Sequence, residues 1–110
     1  MNLKKILTNE YNYPDKGANI IIEDLSVLSP ETMIIFKHWE KTRDESNSKE
    51  FYGYSIDIFR KEWGFNFFAA LLTLDSLIKN PMETIESLNE GYDSIIPEYE
   101  IINGQPVPIE

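Results

Sequence analysis

The most apolar stretch of the chain reads Phe65-Asn66-Phe67-Phe68-Ala69-Ala70-Leu71-Leu72-Thr73-Leu74-Asp75-Ser76-Leu77-Ile78. At helical spacing most of its small and polar side chains fall along one stripe, while the other faces carry Phe or Leu. A helix that is apolar on most faces belongs in the centre of a domain, with neighbours on most sides. The stretch therefore predicts a central helix over residues 65–78, around which the rest of the chain packs.

Helix start and stop signals lie on both sides of this central helix. Before it, Ser55 suits the N-cap of a helix that Gly64 ends, because glycine tolerates the left-handed conformation found just past a helix. After it, Asn80-Pro81-Met82-Glu83 supplies an Asn cap, a Pro at the first helical position and a Glu at the third. This signal predicts a last helix that ends near Gly91. Three apolar side chains share one side of that helix: Met82, Ile85 and Leu88.

Weaker patterns mark the rest of the chain. Apolar residues at helical spacing predict a short N-terminal helix: Leu3, Ile6 and Leu7. Three β-branched residues in a row at 20–22 predict a short strand or a buried extended segment over residues 19–23. Ser29 before Pro30 marks a helix that runs to about Arg43. Residues 44–50 have no apolar member and predict an exposed loop.

Near the C-terminus, Asn103-Gly104 favours a tight hairpin turn, and the prolines after it would confine a returning strand to an edge. At 110 residues and 42% hydrophobic composition the chain has a common domain size and can bury a core. The elements together predict a single domain over residues 1–110. Its fold class is mainly α: a compact bundle of four or five helices, with or without a minor short strand pair.

The sequence also bounds the setting in which the protein works. Cysteine is absent, which excludes a disulfide scaffold, a thiolate metal site and a cysteine nucleophile. Lys4 and Lys5 imitate the start of a signal peptide, but Thr8, Asn9 and Glu10 interrupt the apolar stretch that should follow. No run approaches the ~18 apolar residues that span a bilayer. We therefore expect a cytoplasmic protein without a membrane partner.

The charge of the chain is concentrated in its C-terminal third. Residues 80–110 contain seven carboxylates and no Lys or Arg, a formal charge of −7, whereas residues 1–79 hold twelve acids and ten bases, a balance of −2. Nearly all of the net charge of −9 thus lies in the acidic C-terminal segment 80–110. A field of one sign repels nucleic acid and anionic membranes, and it attracts basic partners.

Tyr and Ile side chains are interspersed among these acids. A solubilising tail needs only charge, whereas a docking surface combines apolar and aromatic anchors with complementary charge. Both interpretations stay open, and the second predicts a basic protein partner. The partner-binding residues that it predicts are Glu83, Glu86, Glu90, Tyr92, Asp93, Glu98, Tyr99 and Glu100.

No pattern in the sequence is typical of a catalytic or cofactor site. His38 is the only histidine, and no second ligand accompanies it at a metal-binding spacing. No glycine-rich loop could cradle a phosphate, and no Gly-x-Ser-x-Gly elbow surrounds a serine. Arg60 and Lys61 are too small a basic patch for nucleic acid. We therefore expect no enzymatic activity, no catalytic residue, no metal and no cofactor.

Three stretches between about residues 54 and 94 share a pattern with a known family. They read Tyr54-Ser55-Ile56-Asp57-Ile58-Phe59-Arg60, Trp63-Gly64-Phe65-Asn66-Phe67-Phe68-Ala69-Ala70-Leu71-Leu72 and Lys79-Asn80-Pro81-Met82. The order of a short capped helix, a glycine turn, a long apolar helix and an Asn-Pro step into an acidic segment resembles small immunity proteins of bacterial contact-dependent growth-inhibition systems. The resemblance implies a non-enzymatic protein that binds and neutralises a cognate toxin, often a nuclease.

Charge and resemblance together predict toxin neutralisation, in which the acidic C-terminal surface covers the basic active site of a partner. One alternative is a phage or plasmid anti-defence protein that mimics nucleic-acid charge and blocks a host enzyme. Such a mimic should spread carboxylates over its whole surface. A further alternative is an enzyme of unknown type, which requires a cleft of polar residues.

Overall fold

The structure, a computed structural model, describes residues 2–90, 99–102 and 105–108. In chain order its helices are α1 (Leu3–Lys5), α2 (Asp15–Leu25), α3 (Pro30–Thr42), α4 (Ile56–Glu62), α5 (Phe67–Lys79) and α6 (Pro81–Glu90). A π-helical segment, Ile6–Glu10, continues α1. Strands β1 (Tyr99–Ile102) and β2 (Gln105–Pro108) form an antiparallel pair in which Tyr99 lies opposite Pro108.

The predicted fold class is confirmed, because the described residues are mainly helical. Five of their helices have seven residues or more, and α1 is a single turn that runs into the π-helical segment. No helix among the described residues is both long enough and apolar enough to cross a membrane.

The central helix is α5, as its sequence predicts. It packs against α2, α3, α4 and α6, and ten of its thirteen residues are buried. The helix begins two residues later than predicted because Asn66 is its N-cap, whose Oδ1 accepts a hydrogen bond from Ala69 N at 2.8 Å. Inside the helix, Thr73 Oγ1 donates to Ala69 O at 2.7 Å, so this buried hydroxyl keeps a partner.

The predicted strand at residues 19–23 is wrong, since these residues lie within α2. The buried positions of α2 are Gly17, Ala18, Ile21 and Leu25. They recur at the spacing of one helix face, which packs against α1 and α5. A β-branched residue is only about 0.5 kcal/mol less favourable than alanine in a helix. Burial of an apolar helix face is worth more, so packing decides the conformation.

The cap signals before α4 and α3 have different outcomes. Ser55 Oγ accepts a hydrogen bond from Ile58 N at 3.2 Å, so the predicted cap of α4 is confirmed. Gly64 has a φ of +72°, the left-handed conformation expected just beyond that helix. Ser29 has the extended backbone of an N-cap, but its hydroxyl bonds to Thr32 Oγ1 at 2.9 Å instead of a backbone N–H.

A buried carboxylate ties α5 to the start of α3. Asp75 Oδ1 accepts hydrogen bonds from Ser29 N at 2.9 Å and from Thr32 Oγ1 at 2.7 Å, and Asp75 Oδ2 lies 2.7 Å from Lys79 Nζ. Burial acts to raise the pKa of the Asp75 carboxyl. The hydrogen bonds from Lys79, Ser29 and Thr32 outweigh burial and hold this pKa below its ordinary 3.8.

Candidate docking surface

The acidic segment begins on α6, whose rotation against α5 is fixed by a hydrogen bond of the Thr84 hydroxyl. Thr84 N donates to Asn80 O at 3.0 Å, and Thr84 Oγ1 donates to Ser76 O at 3.0 Å. Thr84 and Leu88, which are one turn apart, are both buried. These two side chains define the inner face of α6, and the opposite face is turned to solvent.

Two of the predicted partner-binding residues, Glu83 and Glu86, are exposed on α6. Within residues 2–90, neither makes an ion pair or a side-chain hydrogen bond. The last cation of the chain, Lys79, is held by Asp75 and donates to Val27 O at 2.6 Å. The charge of Glu83 and Glu86 is therefore not cancelled locally.

Met82 does not share the buried side of α6 with Leu88, so this part of the sequence prediction is wrong. Its side chain is 82% exposed, whereas Ile85 is half-buried. Because Thr84 occupies the inner face and a helix advances about 100° per residue, Met82 lies about 160° away from Thr84. The four-residue spacing of Thr84 and Leu88 indicates the inner face of α6, but a threonine is easily taken for an outward-facing residue.

The other predicted partner-binding residues are described only in part. Glu90 ends α6, and Tyr99 and Glu100 begin β1. The backbone of these three is described and their side chains are not. β1 pairs with β2, which packs against α2, so the backbone of the acidic segment returns to the helical bundle. Four positions of the sequence prediction lie outside the described residues: Gly91, Tyr92, Asp93 and Glu98.

A second polar region lies at the opposite end of α5. It is a cleft of about 360 Å³. Its lining residues are Glu45, Asp57, Arg60, Lys61, Phe65 and Asn66. Nothing in the sequence predicts this cleft, because Glu45 belongs to the loop at residues 44–50, which has no apolar member, and comes near α4 only in the folded chain.

The polar groups of the cleft bond largely to the protein itself. Arg60 Nη2 lies 3.4 Å from Oε1 of the Glu45 carboxylate, and Arg60 Nη1 donates to the backbone O of Glu45 at 3.2 Å. The hydroxyl of Tyr11 donates to the same carboxylate. Asp57 Oδ1 accepts from Asn47 N at 2.9 Å, and Asp57 N donates to Asn47 O at 3.1 Å. These bonds attach the loop to α4 and to the N-terminal segment, which is a structural role.

Two tyrosines at this end of α5 hold their protons strongly. Burial is the main cause that raises the pKa of Tyr11 above its ordinary 10.0, and the hydrogen bond and negative charge of Glu45 add to it. Burial also raises the pKa of Tyr13, although the hydrogen bond that Asn66 Nδ2 donates to its hydroxyl at 2.8 Å partly opposes this. Both phenols are therefore suited to hydrogen bonding and poorly suited to giving up a proton near neutral pH.

His38, the one histidine, is exposed on α3 with its Nε2 3.9 Å from Asp44 Oδ2. Over the ranges 2–90, 99–102 and 105–108, no three His, Asp or Glu side chains converge as they would around a metal ion. The chain matches no model of a protein family, no curated protein and no solved structure.

Proposed function

We propose that this chain is a non-enzymatic immunity protein of the cytoplasm, which binds and neutralises a cognate bacterial toxin through the acidic surface that begins on α6. The mechanism is occlusion, in which the acidic surface covers a basic active site such as that of a nuclease. Opposite charge accelerates the encounter, and apolar contacts slow the release of the complex.

The observation that carries the proposal is that Glu83 and Glu86 lie in a segment without Lys or Arg, whereas ten bases are interspersed among the acids of residues 1–79. Within residues 2–79 several acids have a cation beside them: Glu10 with Arg43, Glu40 with Lys37, Glu45 with Arg60 and Asp75 with Lys79. Glu83 and Glu86 on α6 have none among the described residues. Unpaired charge of one sign raises the association rate with a partner of opposite sign. Apart from the favourable position of Glu83 in the first turn of α6, it contributes little to the fold, because like charges repel.

The same contrast argues against a protein that mimics nucleic-acid charge. A mimic needs carboxylates that remain uncompensated over most of the surface. Residues 1–79 carry ten bases against twelve acids, and several of these charges form ion pairs with each other. An anti-defence protein that blocks a DNA-binding enzyme is therefore the second candidate.

The test is co-expression of this chain in bacterial cells with the product of each neighbouring gene, to find a toxic product against which the chain protects. Glu83→Lys combined with Glu86→Lys should abolish protection, whereas Glu50→Lys combined with Glu62→Lys should preserve it. The second pair is a matched control, because both glutamates are exposed and make no ion pair within residues 2–90. Circular dichroism checks that each variant is folded, since Glu83 also stabilises the first turn of α6.

Association kinetics of the purified pair separate the candidates. The association rate of the wild-type chain should fall as salt rises, and the α6 double variant should associate slowly at all salt concentrations. If the control pair loses protection and the α6 pair keeps it, the docking surface lies elsewhere. Competition with DNA for a DNA-binding enzyme, without binding to a toxin, would favour the second candidate.

A further inference from the structure

Two exposed apolar residues adjoin Lys79 at the end of α5, Val27 through a hydrogen bond and Met82 along the chain. Val27, in the turn after α2, is 63% exposed and Met82 is 82% exposed. Lys79 Nζ donates to Val27 O at 2.6 Å while it is bound to Asp75 at 2.7 Å. This pair of bonds holds the turn after α2 against the end of α5, three residues before Met82. We call the exposed side chain of Met82 the apolar corner.

The outward position of Met82 is imposed by the packing of α6. The hydroxyl of Thr84 is bonded to Ser76 O, and Leu88 is buried one turn later. Any rotation of α6 that buried Met82 would expose Leu88 and break the Thr84 bond. With 82% of its surface in water, Met82 contributes little to the hydrophobic core.

Two acids of α6 are neighbours of this side chain along the helix. Glu83 follows Met82 directly, and Glu86 lies one helical turn further on, about 40° round the helix from Met82. The nearby cation, Lys79, is engaged by Asp75 and by the carbonyl oxygen of Val27. A molecule that covers Met82 therefore meets a local excess of negative charge, so it must itself be cationic around an apolar centre.

We propose that the apolar corner is the anchor of the docking surface, a role that rests on the function proposed above. The thioether side chain of Met82 fills an apolar depression on a basic protein, and cations at the rim of that depression face Glu83 and Glu86. Interfaces concentrate their affinity in a few such central side chains. The unbranched, polarisable methionine adapts to the shape of the depression that receives it.

The test uses two synthetic helical peptides of about 18 residues and about +6 charge, one with leucines along one face and the other with glutamines at those positions. Fluorescence anisotropy measures the binding of each peptide to the full chain. The leucine peptide should bind about tenfold more tightly than the glutamine peptide, and Met82→Ala should remove most of that difference. Ile34→Ala is the matched control, because Ile34 is an exposed aliphatic residue on α3, 71% in solvent.

Salt separates the anchor from the acids. The factor by which Met82→Ala weakens binding should be the same at about 20 mM and about 300 mM salt, because packing is not screened. Glu83→Lys with Glu86→Lys should weaken the binding of both peptides, and most at low salt.

Four outcomes would contradict either the anchor or the basic partner. Equal affinity of the wild-type chain for both peptides, or equal effects of Met82→Ala and Ile34→Ala, would overturn the anchor. If charge reversal abolishes the binding of both peptides and Met82→Ala has no effect, the anchor would be overturned and the proposed function would stand. An effect of Met82→Ala on the leucine peptide with no effect of charge reversal would leave an apolar docking site and overturn the basic partner.

Discussion

At the N-terminal end of α5 most charged groups of the cleft bond to other groups of the chain, whereas at its C-terminal end Glu83 and Glu86 of α6 face solvent. The thirteen residues of α5 separate the two ends by about 20 Å. Around the first end, Glu45 binds Arg60 and Tyr11, and Asn66 binds Tyr13. Around the second end, Met82, Glu83 and Glu86 are exposed.

The difference separates residues that hold the fold from residues that are available to a partner. A polar group with a partner inside the chain loses that bond when it is mutated, and the fold is weakened. An exposed residue without such a partner can change with little effect on stability. Stability measurements therefore distinguish the two ends before any partner is known.

The largest effect is expected in the core that joins the two ends. Leu74 is fully buried in α5, so Leu74→Ala should lower the free energy of unfolding by about 2–5 kcal/mol. Met82→Ala also truncates an apolar side chain, but an exposed one, and should cost less than about 0.5 kcal/mol. Urea denaturation followed by circular dichroism measures both. Equal losses would mean that Met82 supports the fold, and the comparison would fail.

The next effect tests the N-terminal end. Asn66→Ala removes the cap of α5 and leaves the Tyr13 hydroxyl without a bond from Asn66, so it should cost about 2 kcal/mol. Asn66→Ser keeps a capping oxygen but cannot reach Tyr13, and should recover about half of the loss. Glu86→Ala at the other end should cost less than about 0.5 kcal/mol. If thermal unfolding shows that Glu86→Ala destabilises the protein more than Asn66→Ala does, the assignment of the two ends would be reversed.

The inner side of the C-terminal end should be acid-sensitive. Because the folded-state pKa of Asp75 is below its ordinary 3.8, its stabilisation is present above about pH 4 and is lost as pH falls through the folded pKa. At neutral pH Asp75→Asn should be about 1–2 kcal/mol less stable than the wild type. This difference should shrink in denaturation series below about pH 4. A difference that stays constant down to about pH 2 would contradict the role of the ion pair with Lys79.

The smallest effect concerns the turn that leads into α5. A Cβ added at Gly64 would meet no atom within 4 Å, and the residue has a φ of +72°. The cost of Gly64→Val is therefore one of backbone conformation alone, about 1 kcal/mol. Gly64→Asn should cost less, because Asn enters the left-handed region more readily. Chemical denaturation that finds both variants as stable as the wild type would show that this turn relaxes freely.

Local signals in the sequence are sufficient to predict a feature when that feature depends only on residues close together in the chain. Ser55, Gly64 and the step into α6 at Pro81 each concern groups within about four residues, so the sequence predicts them well. The centrality of α5 follows from its composition alone.

Features that depend on contacts across the chain could not be predicted in this way. The α2 segment reads as a strand until its buried face meets α5. In the sequence Asn66 is one residue of a polar stripe, and nothing indicates that its side chain donates a hydrogen bond to Tyr13, 53 positions away. For the docking surface, the sequence predicted the acids of α6 but assigned Met82 to the wrong side, because the inward position of Thr84 depends on Ser76 O.

The aromatic core gives the protein two unlike optical reporters. Trp39 is fully buried between Phe36 and Phe67, at ring distances of 5.9 and 5.4 Å, and its indole N–H has no hydrogen-bond partner among the described residues. An indole buried among aromatic rings should emit at short wavelength. Trp63 is only half-buried beside Gly64 and should emit further to the red. The intrinsic fluorescence of the unlabelled chain therefore distinguishes loosening of the turn before α5 from melting of the interior.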